Sequence, residues 1–91
     1  LLEIMVAGRD EELAGRMMDL ISQSLCSHFK EKVQIIGPVP APVYKVNDIY
    51  RKILYLKQEN YDILIRIQKY IQDRWDETED CRRLVIQYDF S

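Results

Sequence analysis

The chain has 91 residues, of which 47% are hydrophobic and 31% charged, with three glycines and three prolines. This composition is typical of one folded domain over residues 1–91, and it excludes both a disordered tail and, within this chain, a multidomain enzyme. Thirteen basic and fifteen acidic residues give a formal charge of −2. A generally basic nucleic-acid binder is therefore excluded, and any basic surface must be local.

The chain carries no sign of a metal site, a disulfide framework or a membrane span. Cys26 and Cys81 are too few for a framework and lack the CxxC spacing of structural zinc. No apolar run approaches the ~18 residues that a membrane-spanning helix needs. We therefore expect a cytoplasmic domain. Because the chain opens at Leu1 without an initiating Met, inside an apparent strand, we also expect it to be part of a longer polypeptide.

The first third of the chain predicts a strand followed by a helix. Apolar residues alternate over residues 2–8, which is the period of a half-buried strand. Asp10 is placed to cap a helix, in which apolar residues recur at intervals of four from Leu13 to about Lys30. The helix is therefore expected to bury one face.

A proline-rich segment follows, in which prolines take every second position: Gly37-Pro38-Val39-Pro40-Ala41-Pro42. Proline lacks the amide hydrogen that a central strand needs on both sides. The segment therefore predicts an edge strand that continues into an extended arm over about residues 37–49. A turn near Asn47-Asp48 would bring the chain back.

The remaining sequence predicts a strand, a second helix and a final strand. Residues 50–57 alternate as a returning strand, and Asn60 caps a helix that reaches Trp75. Residues 76–80 are expected to form a solvated acidic loop, and residues 82–90 a fourth strand.

The order βαββαβ predicts an α+β fold of the ferredoxin-like type, a split βαβ sandwich. Its four-stranded, mostly antiparallel sheet would carry two helices on one face. The other face would stay uncovered and would present Met5, Ile53, Tyr55 and Val85. Such a face could dock against another domain.

Catalytic chemistry has little support in the sequence. His28 is the only histidine, and the two-residue offset from Cys26 points the two side chains to opposite sides of a helix. No phosphate-binding glycine loop occurs. A small acyl- or phosphoryl-transfer enzyme on this fold would need an anion site at Gly8-Arg9, where the acidic residues that follow would repel the substrate.

Charge is distributed unevenly along the chain. Residues 30–57 hold six basic residues against two acidic ones, a balance of +4, whereas residues 73–80 have a balance of −4. Tyrosines interleave with the basic residues, a mixture that suits base stacking and phosphate contact. The candidate DNA-binding side chains are Lys45, Arg51, Lys52, Lys57, Tyr44, Tyr50 and Tyr55. Alternatively, the cations only protect an edge strand from aggregation and the tyrosines only pack.

The proline-rich segment, followed by Tyr50-Arg51 and an apolar strand ending at Lys57, resembles the carboxy-terminal domain of the primosomal replication-restart helicase PriA, also called primosomal protein N′. The structural positions in this motif are Gly37, Pro38, Pro40 and Pro42. Weaker agreement extends over the rest of the chain. The resemblance implies that the chain is the carboxy-terminal domain of a longer parent.

The parent implied by this resemblance is an ATP-dependent 3′ to 5′ DNA helicase that recognises abandoned replication forks and supports primosome assembly. Its ATP, Mg²⁺ and zinc sites would lie outside this chain, in which we expect no catalytic residue, cofactor or metal. Implied partners are branched or forked DNA, the helicase core of the same chain, single-stranded DNA-binding protein and other primosome proteins, in the bacterial cytoplasm at the nucleoid. The leading hypothesis is a non-catalytic DNA-binding accessory domain, and the alternative is a docking module without direct DNA contact.

Overall fold

In the computed structural model of the chain, the described residues are 1–29 and 31–91, without the side chains of residues 42–44. The elements follow in the order β1 (Leu2–Gly8), α1 (Glu11–His28), β2 (Gln34–Val46), β3 (Ile49–Lys57), α2 (Tyr61–Trp75), α3 (Glu79–Arg82) and β4 (Val85–Phe90). Apart from the short α3, this is the predicted βαββαβ order.

The four strands form one sheet in the order β2-β3-β1-β4, and every neighbouring pair is antiparallel. β1 and β3 are therefore central, while β2 and β4 form the two edges. The prediction of a ferredoxin-like α+β fold is confirmed. The uncovered face of the sheet is consequently a real surface of the fold, and its composition determines what the domain can contact.

Both long helices begin at the predicted caps. The Asp10 carboxylate accepts a hydrogen bond from the backbone N–H of Leu13 at 3.1 Å, and the Asn60 side chain accepts one from Asp62 at 2.9 Å. Each bond satisfies an amide that has no partner inside the helix. The acidic residues in the first turn of α1 also complement the positive end of the helix dipole.

The core lies between one face of the sheet and the two long helices. Residues that alternate along β1 and β3 and recur along α1 and α2 have no solvent exposure; they include Leu2, Ile4, Val6, Met18, Ile21, Leu25, Leu54, Leu56, Leu64, Ile67 and Ile71. Among the described residues, no polar or charged side chain is buried. The methionines of α1 therefore belong to the core.

Two predictions near the C-terminus are wrong in detail. The acidic residues Glu79 and Asp80 belong to α3, not to a loop, and β4 begins at Val85 rather than at residue 82. The hydroxyl of Thr78 accepts a hydrogen bond from the N–H of Cys81 at 3.3 Å and so caps a helical turn. Cys81, in this helical turn, is buried and contributes to the core.

The proline-rich segment lies within the edge strand β2. β2 pairs with β3 along most of the hairpin, but its register shifts between Ile36 and Val39 and again between Pro40 and Lys45. The turn falls at the predicted place, since Asn47 and its neighbour both have positive φ, the signature of a type I′ hairpin turn. The predicted arm residues up to 46 are thus strand, and the side chain of Pro42 lies outside the described residues.

Gly37 is required by the backbone of this segment. Its φ is +102°, and a Cβ built there would lie 3.0 Å from the amide nitrogen of Val39 and 3.2 Å from the carbonyl oxygen of Ile53. Those neighbours are backbone atoms and cannot move aside. Gly15 in α1 differs, because a Cβ there would meet only the side chain of Lys52, at 3.3 Å.

We predict that Gly37→Ala destabilises the fold and that Gly15→Ala does not. The first change forces an L side chain into left-handed backbone, at a cost of about 1–3 kcal/mol. The second removes a helix-interior glycine and changes the free energy of unfolding by at most about 1 kcal/mol, in the stabilising direction. Urea unfolding of both variants checks this, and an unchanged midpoint for Gly37→Ala would contradict the structure.

Candidate nucleic-acid and docking interface

Strand β3 carries five of the seven candidate DNA-binding side chains, and its alternation divides them between the two sides of the sheet. Arg51 lies opposite Ala7 and Tyr55 opposite Glu3, on the uncovered face. Lys57 shares that side by alternation. Tyr50 and Lys52 point to the helix side, because neighbouring residues in a strand face opposite ways. The sequence-predicted set is therefore not one continuous site.

The uncovered face is largely apolar. Its exposed hydrophobic side chains, assigned by register and alternation, are Ile36, Val39, Val46, Ile49 and Val85. Val85 is 55% exposed, whereas Ile53 in the middle of the face is only 5% exposed. The expected face residues Met5, Ile53, Tyr55 and Val85 do share this side of the sheet. Several exposed hydrophobic side chains on one side of a small domain favour contact with another molecule.

Charges occupy defined places on the same face. Arg51 and Lys57 lie on the central strand β3, on either side of Tyr55. Glu3 is paired directly opposite Asp89 across β1 and β4. The face thus carries cations and a ring on β3 and an acidic pair on β1 and β4, and Glu3 of that pair lies directly opposite Tyr55.

Lys45, on the helix side of the hairpin, has both an acidic and an aromatic partner. The ammonium of Lys45 lies 3.5 Å from the carboxylate of Asp48 and 5.1 Å from the centroid of the Tyr50 ring. The pKa of Lys45 is raised, and the largest cause is its hydrogen bond with Tyr50. The electrostatic interaction with Tyr50 and a hydrogen bond with Asp48 are the next causes. Glu11, at the start of α1, adds to this effect. The positive charge of Lys45 is therefore partly compensated within the hairpin itself.

Comparison with known protein families shows which family the chain belongs to. The family described as the primosomal protein N C-terminal domain matches residues 1–90. The chain belongs to this family. The resemblance carried by the proline-rich segment and Tyr50-Arg51 is thus confirmed, and membership implies a primosomal role in replication restart. No curated protein matches the chain.

Some predicted positions cannot be placed on this interface. The side chains of Tyr44 and Pro42 lie outside the described residues, as does Lys30, which contributes to the basic balance of residues 30–57. Gly37, Pro38 and Pro40 are all in β2.

Sequence analysis missed four of the apolar residues on the uncovered face, namely Ile36, Val39, Val46 and Ile49. The two register shifts in β2 break simple alternation, so counting by twos across the proline-rich segment does not give the correct side. The pairing of Ile36 with Tyr55 and of Val39 with Ile53 could not be deduced without knowing where the bulges lie. The only sequence signal that could have identified these four residues is their hydrophobicity.

Other reactive groups do not form a site with the interface. His28 lies on α1, its Nδ1 3.0 Å from the carbonyl oxygen of Ser24 and 3.1 Å from the hydroxyl of Tyr70. Burial raises the pKa of the Cys81 thiol, which makes it less reactive. In the part of the chain that the structure describes, no group of three or more His, Cys, Asp or Glu side chains could hold a metal ion. No described helix is long and apolar enough to cross a membrane.

The position considered for an anion site after β1 is a groove of mixed charge. It is lined by Arg9, Asp10, Glu11, Glu12, Tyr50 and Arg83. The guanidinium of Arg83 lies 3.8 Å from the carboxylate of Asp10, so one of the two cations already has an acidic neighbour. This arrangement gives an anionic substrate little attraction.

Proposed function

We propose that the chain is a non-catalytic accessory domain of a replication-restart helicase and that it contacts forked DNA through the uncovered sheet face. In this proposal the ATP and zinc chemistry belongs to the longer parent, and the domain acts in the cytoplasm at the nucleoid. The observation that carries it is the placement of Arg51, Tyr55 and Lys57 on one side of a single central strand.

This placement suits nucleic-acid binding for a geometric reason. Alternate residues of a strand lie about 6.6–6.8 Å apart on one side, so Arg51, Ile53, Tyr55 and Lys57 form a straight row in which Ile53 separates Arg51 from the ring. Cations in such a row can follow a phosphate backbone, while an aromatic ring offers a surface for an unpaired base. Sheets that bind single-stranded nucleic acid combine these groups in the same way. Lys45, Tyr50 and Lys52 are assigned no direct role by this proposal.

We predict that the double change Arg51→Glu/Lys57→Glu weakens binding of forked DNA. If both cations contact phosphates, the slope of log K against log salt concentration becomes shallower by about 2, because each contact contributes about 0.9. Fluorescence anisotropy with a labelled fork, measured over a salt series, gives both the affinity and the slope.

The matched control is Lys45→Glu/Lys52→Glu, which makes the same change in net charge on the helix side of the hairpin. It should retain most of the affinity and most of the salt slope, provided that circular dichroism shows both variants folded. Equal losses in the two variants would indicate attraction by net charge alone. Undiminished binding by Arg51→Glu/Lys57→Glu would exclude the proposed DNA site.

A second function is favoured by the apolar residues of the same face. The family is that of a C-terminal domain, so the remainder of primosomal protein N is an available partner for an apolar surface. In this alternative the exposed side chains of Ile36, Val39 and Val85 pack against the helicase core. The domain would then position the core without touching DNA.

The docking alternative predicts that Val85→Glu weakens association of the chain with the remainder of primosomal protein N added in trans. Val85 is 55% exposed on the uncovered face, and Ile65 is 51% exposed on α2, so Ile65→Glu is a matched control. Burying the introduced carboxylate would cost several kcal/mol, which should raise Kd by at least tenfold. Isothermal titration calorimetry measures the Kd of each variant. Equal affinities for the two variants would exclude docking through this face.

A further inference from the structure

The two edges of the sheet differ in how they are protected against pairing with another strand. β2 contains three prolines and two register shifts, which remove amide donors and bend the edge. β4, with the sequence VIQYDF, has neither proline nor a basic residue and pairs with β1 without a register shift. The β4 edge therefore retains a regular row of backbone groups.

The hydrogen bonds between Leu1 and Ser91 show which residues of β4 direct their backbone N–H and C=O groups away from β1. The amino group of Leu1 donates to the carbonyl of Ser91 at 2.9 Å, and the N–H of Ser91 donates to the carbonyl of Leu1 at 2.8 Å. These residues are thus a hydrogen-bonded pair, and such pairs alternate along an antiparallel ladder. The N–H and C=O groups of Ile86, Tyr88 and Phe90 consequently point away from β1.

We propose that the β4 edge binds a second copy of this chain, by antiparallel pairing of β4 with β4 about a two-fold axis at Tyr88. Because the outward-facing residues must form the new hydrogen-bonded pairs, Tyr88 lies opposite Tyr88 and Ile86 opposite Phe90 of the other copy. The two sheets become one eight-stranded sheet.

Charge selects this register over its neighbours. With Tyr88 at the axis, Asp89 of each copy lies opposite Gln87 of the other, and no like charges are paired. A shift of two residues in one direction would place Asp89 directly opposite Asp89, which is unfavourable. The opposite shift would place Phe90 opposite Leu84 of the other copy. Leu84 lies before β4, so Phe90 would have no strand residue opposite it. The apolar pair of Ile86 and Phe90 forms only in the proposed register.

The same geometry limits the assembly to two copies. A two-fold interface uses the same patch on both copies and is closed. Further growth would have to use β2, whose prolines and register shifts obstruct regular pairing. The edges thus favour a dimer over a growing fibre.

The test uses opposite charge changes at Gln87, an exposed residue that faces Asp89 of the other copy in this register. We expect Gln87→Lys to raise the dimer association constant and Gln87→Asp to lower it. Two altered pairs per dimer predict a change of about two- to thirtyfold in each direction. Sedimentation velocity of the 91-residue chain over a concentration series measures the constant.

The control variants Gln23→Lys and Gln23→Asp make the same net-charge changes at an exposed position of α1. They should leave association close to that of the unaltered chain. A chain that stays monomeric at every concentration, even with Gln87→Lys, overturns the proposal. So does a dimer whose association constant responds equally to the changes at Gln87 and Gln23.

Disulfide trapping tests the register separately. Chains with Gln87→Cys are mixed with chains carrying Asp89→Cys, both also with Cys26→Ser, in a glutathione redox buffer. Opposed residues of a non-hydrogen-bonded pair have Cα atoms about 4.5 Å apart, within the range that a disulfide spans. With equal amounts of the two chains, the mixed 87–89 product should exceed each same-residue product by much more than the twofold excess that random pairing gives. Predominance of either same-residue product would contradict the register.

Discussion

The two-residue period of strand β3 determines which of the chain's cations can act together. Arg51 and Lys52 are neighbours in sequence, but they project from opposite sides of a sheet whose one side is covered by α1 and α2. The hairpin that looks uniformly basic in sequence is therefore divided into two environments. On the helix side, Lys45 lies beside Asp48 and Tyr50. On the uncovered side, Arg51 and Lys57 flank Tyr55 within an apolar surface.

The chain belongs to a family of primosomal proteins although its net charge is −2. The proposed DNA contact requires no overall positive charge, because it depends on two cations of one strand. DNA contact and docking make different demands on the same face, since one depends on Arg51 and Lys57 and the other on residues such as Val85. The pairing proposed at the β4 edge would leave this face open in both copies.

The sequence was sufficient for the fold because local signals and burial agree. Asp10 and Asn60 cap helices whose apolar stripes face a sheet, and alternation along β1 and β3 fills the other half of the core. It was insufficient where alternation is interrupted. The bulges around Val39 and Pro40 change which side a residue of β2 faces, so the apolar residues that β2 contributes to the interface could not be derived. The helical turn capped by Thr78 was missed because acidic residues are equally common in loops and at helix starts.

The most direct measurement of the central claim, that this domain acts through its uncovered sheet face, is side-chain methyl NMR of the chain titrated with forked DNA or with the remainder of primosomal protein N. Methyl groups report the side of the sheet, which backbone amides do not. The account predicts shift changes at methyl groups of the uncovered face, among them Ile36, Val39 and Val85, with Leu20 and Ile65 on the outer helix surfaces unchanged. Changes at Leu20 and Ile65, with the sheet-face methyls unaffected, would contradict it.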